Sequence, residues 1–215
     1  MSYSLRTYYR SSCSWRVRIA LALKGVDASM IPVHLVKDGG EQHGLEHASL
    51  NPMRQLPVLL VGDQPISQSV AIIEYLEEVH PTPSLLPEDP LGRAQVREMV
   101  EVINSGIQPI QNLSVMQELA KQFEIDKEGT IAWSRGWITR GFEALESLVI
   151  RSHERYSWGD QVTIADVCLV PQIYNARRFG VEMSAFPTLL KVEKELNAIE
   201  AFATARPEVQ GDFPG

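Results

Sequence analysis

The sequence predicts an α/β unit of about 80 residues followed by an all-helical part. Three observations carry this. Up to Val79 the apolar residues switch between strand-like alternation and helix-like spacing. A proline-rich stretch then runs from His80-Pro81-Thr82-Pro83 to Pro87-Glu88-Asp89-Pro90, as a stiffened linker does. Beyond it only helical spacing remains. The domains are accordingly 1–84 and 85–215.

In chain order, Tyr3 to Tyr9 alternates like a strand, and Ser14 to Lys24 reads as a helix stopped by Gly25. Ile31, Val33 and Leu35 alternate again, and Glu41 to Ala48 is a short helical stretch in a polar loop. After Asn51-Pro52 and Pro57, Val58 to Val61 and Gln64 to Ile66 form a hairpin about Gly62-Asp63. A helix over Ser69 to Val79 closes the unit, with Ile72, Ile73, Leu76 and Val79 among its apolar positions. In the second part, Leu91 to Leu119 reads as one long helix kinked by Gly106 and Pro109, and Ile131 to Val149 as a second. Thr163-Ile164-Ala165-Asp166 is a capping box opening a buried helix. Further helices fit Pro187 to Leu196 and Ile199 to Ala205, and the tail from Pro207 is expected to be loose.

The net charge of −7 argues against nucleic acid or an anionic membrane as a main partner. The N-terminus is a local exception: Arg6, Arg10, Arg16, Arg18 and Lys24 all precede the first acid, Asp27, which suits a small anionic ligand. No apolar run reaches the roughly 18 residues of a membrane span, and Met1-Ser2-Tyr3-Ser4 does not begin a signal peptide, so the cytoplasm is expected. Cys13 and Cys168 lie far apart with no CxxC, which speaks against a disulfide framework or a cysteine-based zinc site. His43-Gly44-Leu45-Glu46-His47 spells HxxEH, but it sits in a small α/β unit with no evident third ligand, so no metal is expected.

Chemistry points to Ser11-Ser12-Cys13, where side chains that cap helices meet the start of a helix in the basic segment. Such a place can hold a thiolate. A free thiol with a pKa near 8.5 is only a few per cent ionised at neutral pH, and lowering that value by one or two units takes roughly 1.4 to 3 kcal/mol. One hydroxyl donating to the sulfur gives about 1.5 to 3 kcal/mol, and a helix N-terminus adds roughly 0.3 to 1. The sulfur could be that of Cys13, giving a thiol-disulfide enzyme, or that of a bound ligand. Simple capping by Ser11 and Ser12 is the plainer alternative.

Six blocks carry a resemblance: SSCSWRVRIALALKG (11–25), NPMRQLP (51–57), QSVAIIEYLEE (68–78), IQPIQNLSV (107–115), GDQVTIADVCLVPQ (159–172), and Asn175-Ala176-Arg177-Arg178-Phe179. With them the chain resembles a cytosolic glutathione transferase, more narrowly the zeta class of maleylacetoacetate isomerases. The resemblance implies a thioredoxin-like N-terminal domain that binds glutathione and an all-helical domain covering the substrate site. It makes Ser11 the residue that activates the glutathione sulfur, with Ser12 and Cys13 beside it and Ser14, Trp15 and Arg16 lining the site. Leu56, before a cis Pro57, offers its backbone to the cysteinyl portion; Gln68 and Ser69 match the γ-glutamyl carboxylate site, and Gln42 a further contact.

In the helical domain Gln108 and Asn112, spaced i, i+4 on one helix face, match polar contacts over the site, with Leu113 and Ser114 adjoining. Arg178 matches the arginine for the substrate carboxylate, with Arg16 as a second clamp. The implied reaction takes a small dicarboxylate keto acid, maleylacetoacetate, to fumarylacetoacetate in aromatic amino-acid breakdown. The thiolate adds to the cis double bond, the resulting single bond rotates, and elimination returns glutathione unchanged. The family also implies a homodimer. Alternatives are a glutathione-dependent maleylpyruvate isomerase and a non-catalytic interaction module of the same fold.

Overall fold

A computed structural model describes residues 2–214, which form two compact units, one of residues up to 84 with those from 198 onward and the other Leu85–Asn197. In the first unit the chain runs through β1 (Tyr3–Thr7), α1 (Ser12–Leu23), β2 (Ser29–Pro32), α2 (Leu45–Leu50), β3 (Val58–Val61), β4 (Gln64–Ser67) and α3 (Ser69–Val79). The sheet order is β2-β1-β3-β4. β1 lies parallel to β2 and antiparallel to β3, and β3 pairs antiparallel with β4 through the hairpin at Gly62. Alternation puts Tyr3, Leu5 and Thr7 of β1 inside. They are buried, as are Val17, Ile19 and Leu21 of α1 and Ile72, Ile73 and Leu76 of α3, and α1 packs on α3. β2 is a largely exposed edge strand and ends at Pro32, short of the expected Leu35: its last bond to β1 is Val33 N–H to Thr7 O at 2.8 Å, and β1 itself ends at Thr7. The helical stretch expected at 41–48 is a 3-10 turn, Glu41–His43, followed by α2, and a further 3-10 turn, Lys37–Gly39, precedes it.

The second unit contains α4 (Pro90–Glu101), α5 (Leu113–Phe123), α6 (Lys127–Ser152), α7 (Ile164–Arg178) and α8 (Pro187–Asn197). The single kinked helix expected over Leu91 to Leu119 is instead three pieces: α4, a π-helical turn over Val102–Ile107, and α5. Pro109 supplies no N–H, and Asn112 starts α5 afresh by accepting the Ser114 N–H at 3.0 Å. The turn packs tightly on α6, since a Cβ at Gly141 would lie 2.4 Å from the Ile107 side chain. The capping box opens α7 as the spacing predicts: the fully buried Asp166 accepts from Thr163 N at 2.7 Å, Thr163 Oγ1 at 3.0 Å and Ser157 N at 2.8 Å. α8 starts at Pro187 and is capped across the unit by Glu146, which accepts from Thr188 N and Leu189 N at 2.8 and 3.0 Å.

Past Asn197 the chain returns to the first unit, a correction to the 85–215 boundary. α9 (Glu200–Thr204) packs on α1 with Phe202 fully buried. The tail is not loose either. It forms a 3-10 turn at Pro207–Val209, and the Asp212 carboxylate accepts the Tyr9 N–H at 2.8 Å.

Candidate active site

Register decides where the site lies. Thr7 pairs with Pro32, Arg6 with Val58, and Val58 with Ser67. The end of β1, the end of β2, the beginning of β3 and the end of β4 therefore all lie at one edge of the sheet. The four segments that leave from that edge carry Ser11, Gln42, Leu56 and Gln68. Tyr8, Tyr9, Val33 and Leu56 pack there as one apolar cluster, with Leu35 against it.

Ser11 is the N-cap of α1, and its Oγ accepts the Ser14 N–H at 3.2 Å. One lone pair is thus occupied, and the hydroxyl proton is left for an outside acceptor. The helix begins at Ser12, two residues earlier than the spacing predicts, with no acid in its first turn. Ser12, Ser14, Trp15 and Arg16 are buried, whereas Ser11 and Cys13 are only half-buried. Around α3, Gln68 holds φ at +73°, a conformation rare for a residue with a side chain, and its side chain does not cap its own helix. The first turn of α3 also lacks an acid, so both helix starts are open to negative charge.

Arg16 links the two starts: Nη1 donates to Ser69 Oγ at 3.3 Å. With 0% exposure its guanidinium cannot meet an arriving carboxylate, and the expected substrate clamp at Arg16 is corrected to a cation beneath the site. Leu56 lies outside the β1–β3 ladder, which ends at Arg6–Val58, and precedes a cis peptide at Pro57. The carbonyl just before it, Gln55 O, is tied to Asn51 Nδ2 at 2.9 Å and to His47 Nε2 at 3.0 Å. Burial pulls His47 below the usual histidine range, with Arg6 acting in the same direction and the Gln55 carbonyl and Glu46 opposing. Gln42 is buried; its Nε2 donates to Leu35 O at 3.3 Å, while its Oε1 has no hydrogen-bond partner among the described residues. Gly40 (φ +102°) folds closely over it, and a Cβ there would lie 2.5 Å from the Gln42 amide.

In the second unit Gln108 is half-buried at the end of the π-helical turn, its N–H donating to Ile103 O at 2.8 Å. It does not share a helix face with Asn112, since the helix breaks between them; Asn112 caps α5, and Leu113 and Ser114 form its first turn. The turn is fastened by Gln111, whose side-chain amide exchanges hydrogen bonds of 2.7 and 3.2 Å with the buried Gln172 of α7. Arg178 is exposed in the last turn of α7, with Nη1 donating to Asn175 Oδ1 at 3.1 Å. Its neighbour Arg177 forms a two-bond ion pair with Glu193. No cluster of three metal-ligating side chains occurs among the described residues, the HxxEH stretch included. No helix of the described residues is long and apolar enough to cross a membrane.

A family model described as glutathione S-transferase, N-terminal domain, matches residues 10–79. Maleylacetoacetate isomerase of Mus musculus is 50% identical over 210 residues, spanning 98% of this chain and 94% of the mouse protein. The holo structure of a bacterial maleylpyruvate isomerase, a zeta-class glutathione transferase, superposes with a TM-score of 0.94 at 41% identity, covering 97% of this chain and 99% of that one. The chain belongs to the zeta class of glutathione transferases. Its first unit is accordingly thioredoxin-like and its second helical, the architecture of that family. A structure of maleylacetoacetate isomerase from Methylobacterium extorquens, with bound malonate and glutathione, has a TM-score of 0.94 at 32% identity and covers 99% of this chain and 100% of that one.

Proposed function

We propose that this zeta-class protein is a glutathione-dependent isomerase that converts maleylacetoacetate to fumarylacetoacetate. The observation that carries the reading is the common sheet edge from which Ser11, Gln42, Leu56 and Gln68 all emerge. The residues fit glutathione. The unpartnered Oε1 of buried Gln42 can accept a peptide N–H, and the open helix starts at Ser11 and Gln68 offer separate places for negative charge.

Glutathione supplies a thiolate whose addition turns the substrate double bond into a rotatable single bond, and whose departure restores the double bond in the trans form. Ser11 holds the sulfur ionised by donating its O–H, and the first N–H groups of α1 add the positive end of the helix dipole. Ser12 and Cys13 support it at the same helix start. Leu56 binds the peptide backbone, Gln68 and Ser69 the γ-glutamyl carboxylate, and Gln42 a further polar group. From the helical unit we assign Gln108, Asn112, Leu113 and Ser114 to glutathione and Arg178 to a substrate carboxylate, where a guanidinium can bind both oxygens.

The malonate-bound and glutathione-bound relative supports a dicarboxylate substrate. A second reading, maleylpyruvate isomerase, is favoured by the 0.94 match to an enzyme of that activity. We also assign the protein to the cytoplasm, to aromatic amino-acid breakdown and to a homodimeric state, following the family. The test is a side-by-side isomerisation assay of both maleyl keto acids with and without glutathione. Turnover of maleylacetoacetate only with glutathione is expected, and equal rates without it would overturn the proposal.

A further inference from the structure

The segment after α8 reaches back to the loop that carries Ser11. Arg18, nearly fully buried, donates through Nη1 to Thr7 Oγ1 at 3.0 Å and Tyr8 O at 3.4 Å, through Nη2 to Tyr9 O at 2.9 Å, and through Nε to Ala205 O at 3.2 Å. One guanidinium thus joins the end of β1, the loop before Ser11 and the end of α9. From the other side Asp212 Oδ2 accepts the Tyr9 N–H at 2.8 Å, and the Phe213 ring stands edge-on to Tyr9 with centroids 5.5 Å apart. Both backbone polar groups of Tyr9 are therefore held by side chains, one from α1 and one from a residue 203 positions away. Ser11 follows two residues later, and its own N–H donates to Tyr8 O at 3.0 Å.

We propose that Asp212, with Phe213 and Arg18, is a positioning device: the C-terminal strap fixes the Tyr8–Tyr9 backbone and thereby aims the Ser11 hydroxyl at the glutathione sulfur. This rests on the reading of Ser11 as the thiolate donor. A hydroxyl whose direction is set by a loop needs that loop held rigidly, because a donor that wanders loses most of its preference for the charged form of its acceptor. The strap supplies the rigidity from within the same unit. Burial lowers the pKa of the Arg18 guanidinium to about 10, and the Asp212 carboxylate opposes that shift.

The test compares wild type with Asp212→Ala, Asp212→Asn and Phe213→Ala in the full chain. Three quantities are read: hydrogen exchange of the Tyr9 amide without ligand, ultraviolet thiolate absorbance of bound glutathione against pH, and kcat/KM for isomerisation. In Asp212→Ala we expect Tyr9 exchange to accelerate at least about tenfold. The thiolate titration should rise by about one pH unit, with roughly tenfold lower kcat/KM at neutral pH that recovers in alkali. Asp212→Asn, whose side-chain oxygen still accepts the Tyr9 N–H, should restore most of the loss. Phe213→Ala should move all three readouts in the same direction by a few-fold, and serves if Asp212→Ala does not fold.

Accelerated Tyr9 exchange with an unchanged thiolate titration would overturn the proposal, and so would unchanged exchange. Wild type that shows no thiolate absorbance on adding glutathione would instead overturn the reading of Ser11, while the exchange measurement still reports on the strap.

Discussion

On the proposed function, replacing Ser11 by alanine removes a donor to the sulfur and an N-cap at once, and the two losses are separable. Loss of a hydroxyl bonded to a charged sulfur costs about 1.5 to 3 kcal/mol, or roughly 10- to 150-fold in kcat/KM at neutral pH. Because the loss lies in thiolate formation, it should shrink as the pH approaches the free thiol value of about 8.5, where the sulfur ionises without help. Loss of the 3.2 Å bond from Ser14 N costs about 1 kcal/mol of stability, or a Tm lower by roughly 2 to 4 °C for a chain of this size. Ser11→Thr keeps cap and donor and controls for both. The assay follows isomerisation with saturating glutathione from pH 6 to pH 10 beside thermal unfolding. A kcat/KM for Ser11→Ala within about twofold of wild type at pH 7, with an unshifted pH profile, would refute the assignment of Ser11 as the donor.

Two further outcomes are expected. His47 is held below its ordinary pKa, so below about 6.5 the unfolded chain takes up the proton first and stability should fall as the pH falls, until the folded-state value is passed. His47→Gln, which can still donate to Gln55 O, should flatten that slope in denaturant titrations between pH 5 and pH 7.5. Asp166→Ala leaves the buried Ser157 and Thr163 donors without an acceptor and should cost about 3 kcal/mol, lowering Tm by roughly 6 to 12 °C in calorimetry.

Local chemistry made much of the site legible in the sequence. Ser11 announces itself through capping preference beside a basic, helix-forming run, and Asp166 through its spacing from Thr163. Arg16 shows the limit: its charge is legible in the sequence but its depth is not, since tertiary packing around α1 removes it from solvent. The i, i+4 spacing of Gln108 and Asn112 misled because it presupposed a continuous helix, whereas Pro109 and the π-helical turn end it. Gln111, which fastens that turn, pairs with a residue 61 positions away, beyond the reach of any periodicity. The strap escaped for the same reason, although Arg16 and Arg18 on either side of Val17, running into Ile19-Ala20-Leu21, were a usable signal, since buried cations in an apolar helix need carbonyl or acidic partners.

The sheet register has a consequence for how this unit can be altered. All four site-bearing segments leave from one edge, so the connections at the opposite edge, Gly25 to Ala28 before β2 and the Gly62–Asp63 hairpin, carry no part of the site. Open space surrounds Gly62, and its left-handed turn asks only for a short, tight connection. The β-ladder insulates the two edges from each other, because lengthening a turn on one side leaves the pairing of Arg6 with Val58 and of Val58 with Ser67 unchanged. That far edge is therefore where a reporter loop or an attachment handle can be grafted while the proposed thiolate site at the near edge keeps its geometry.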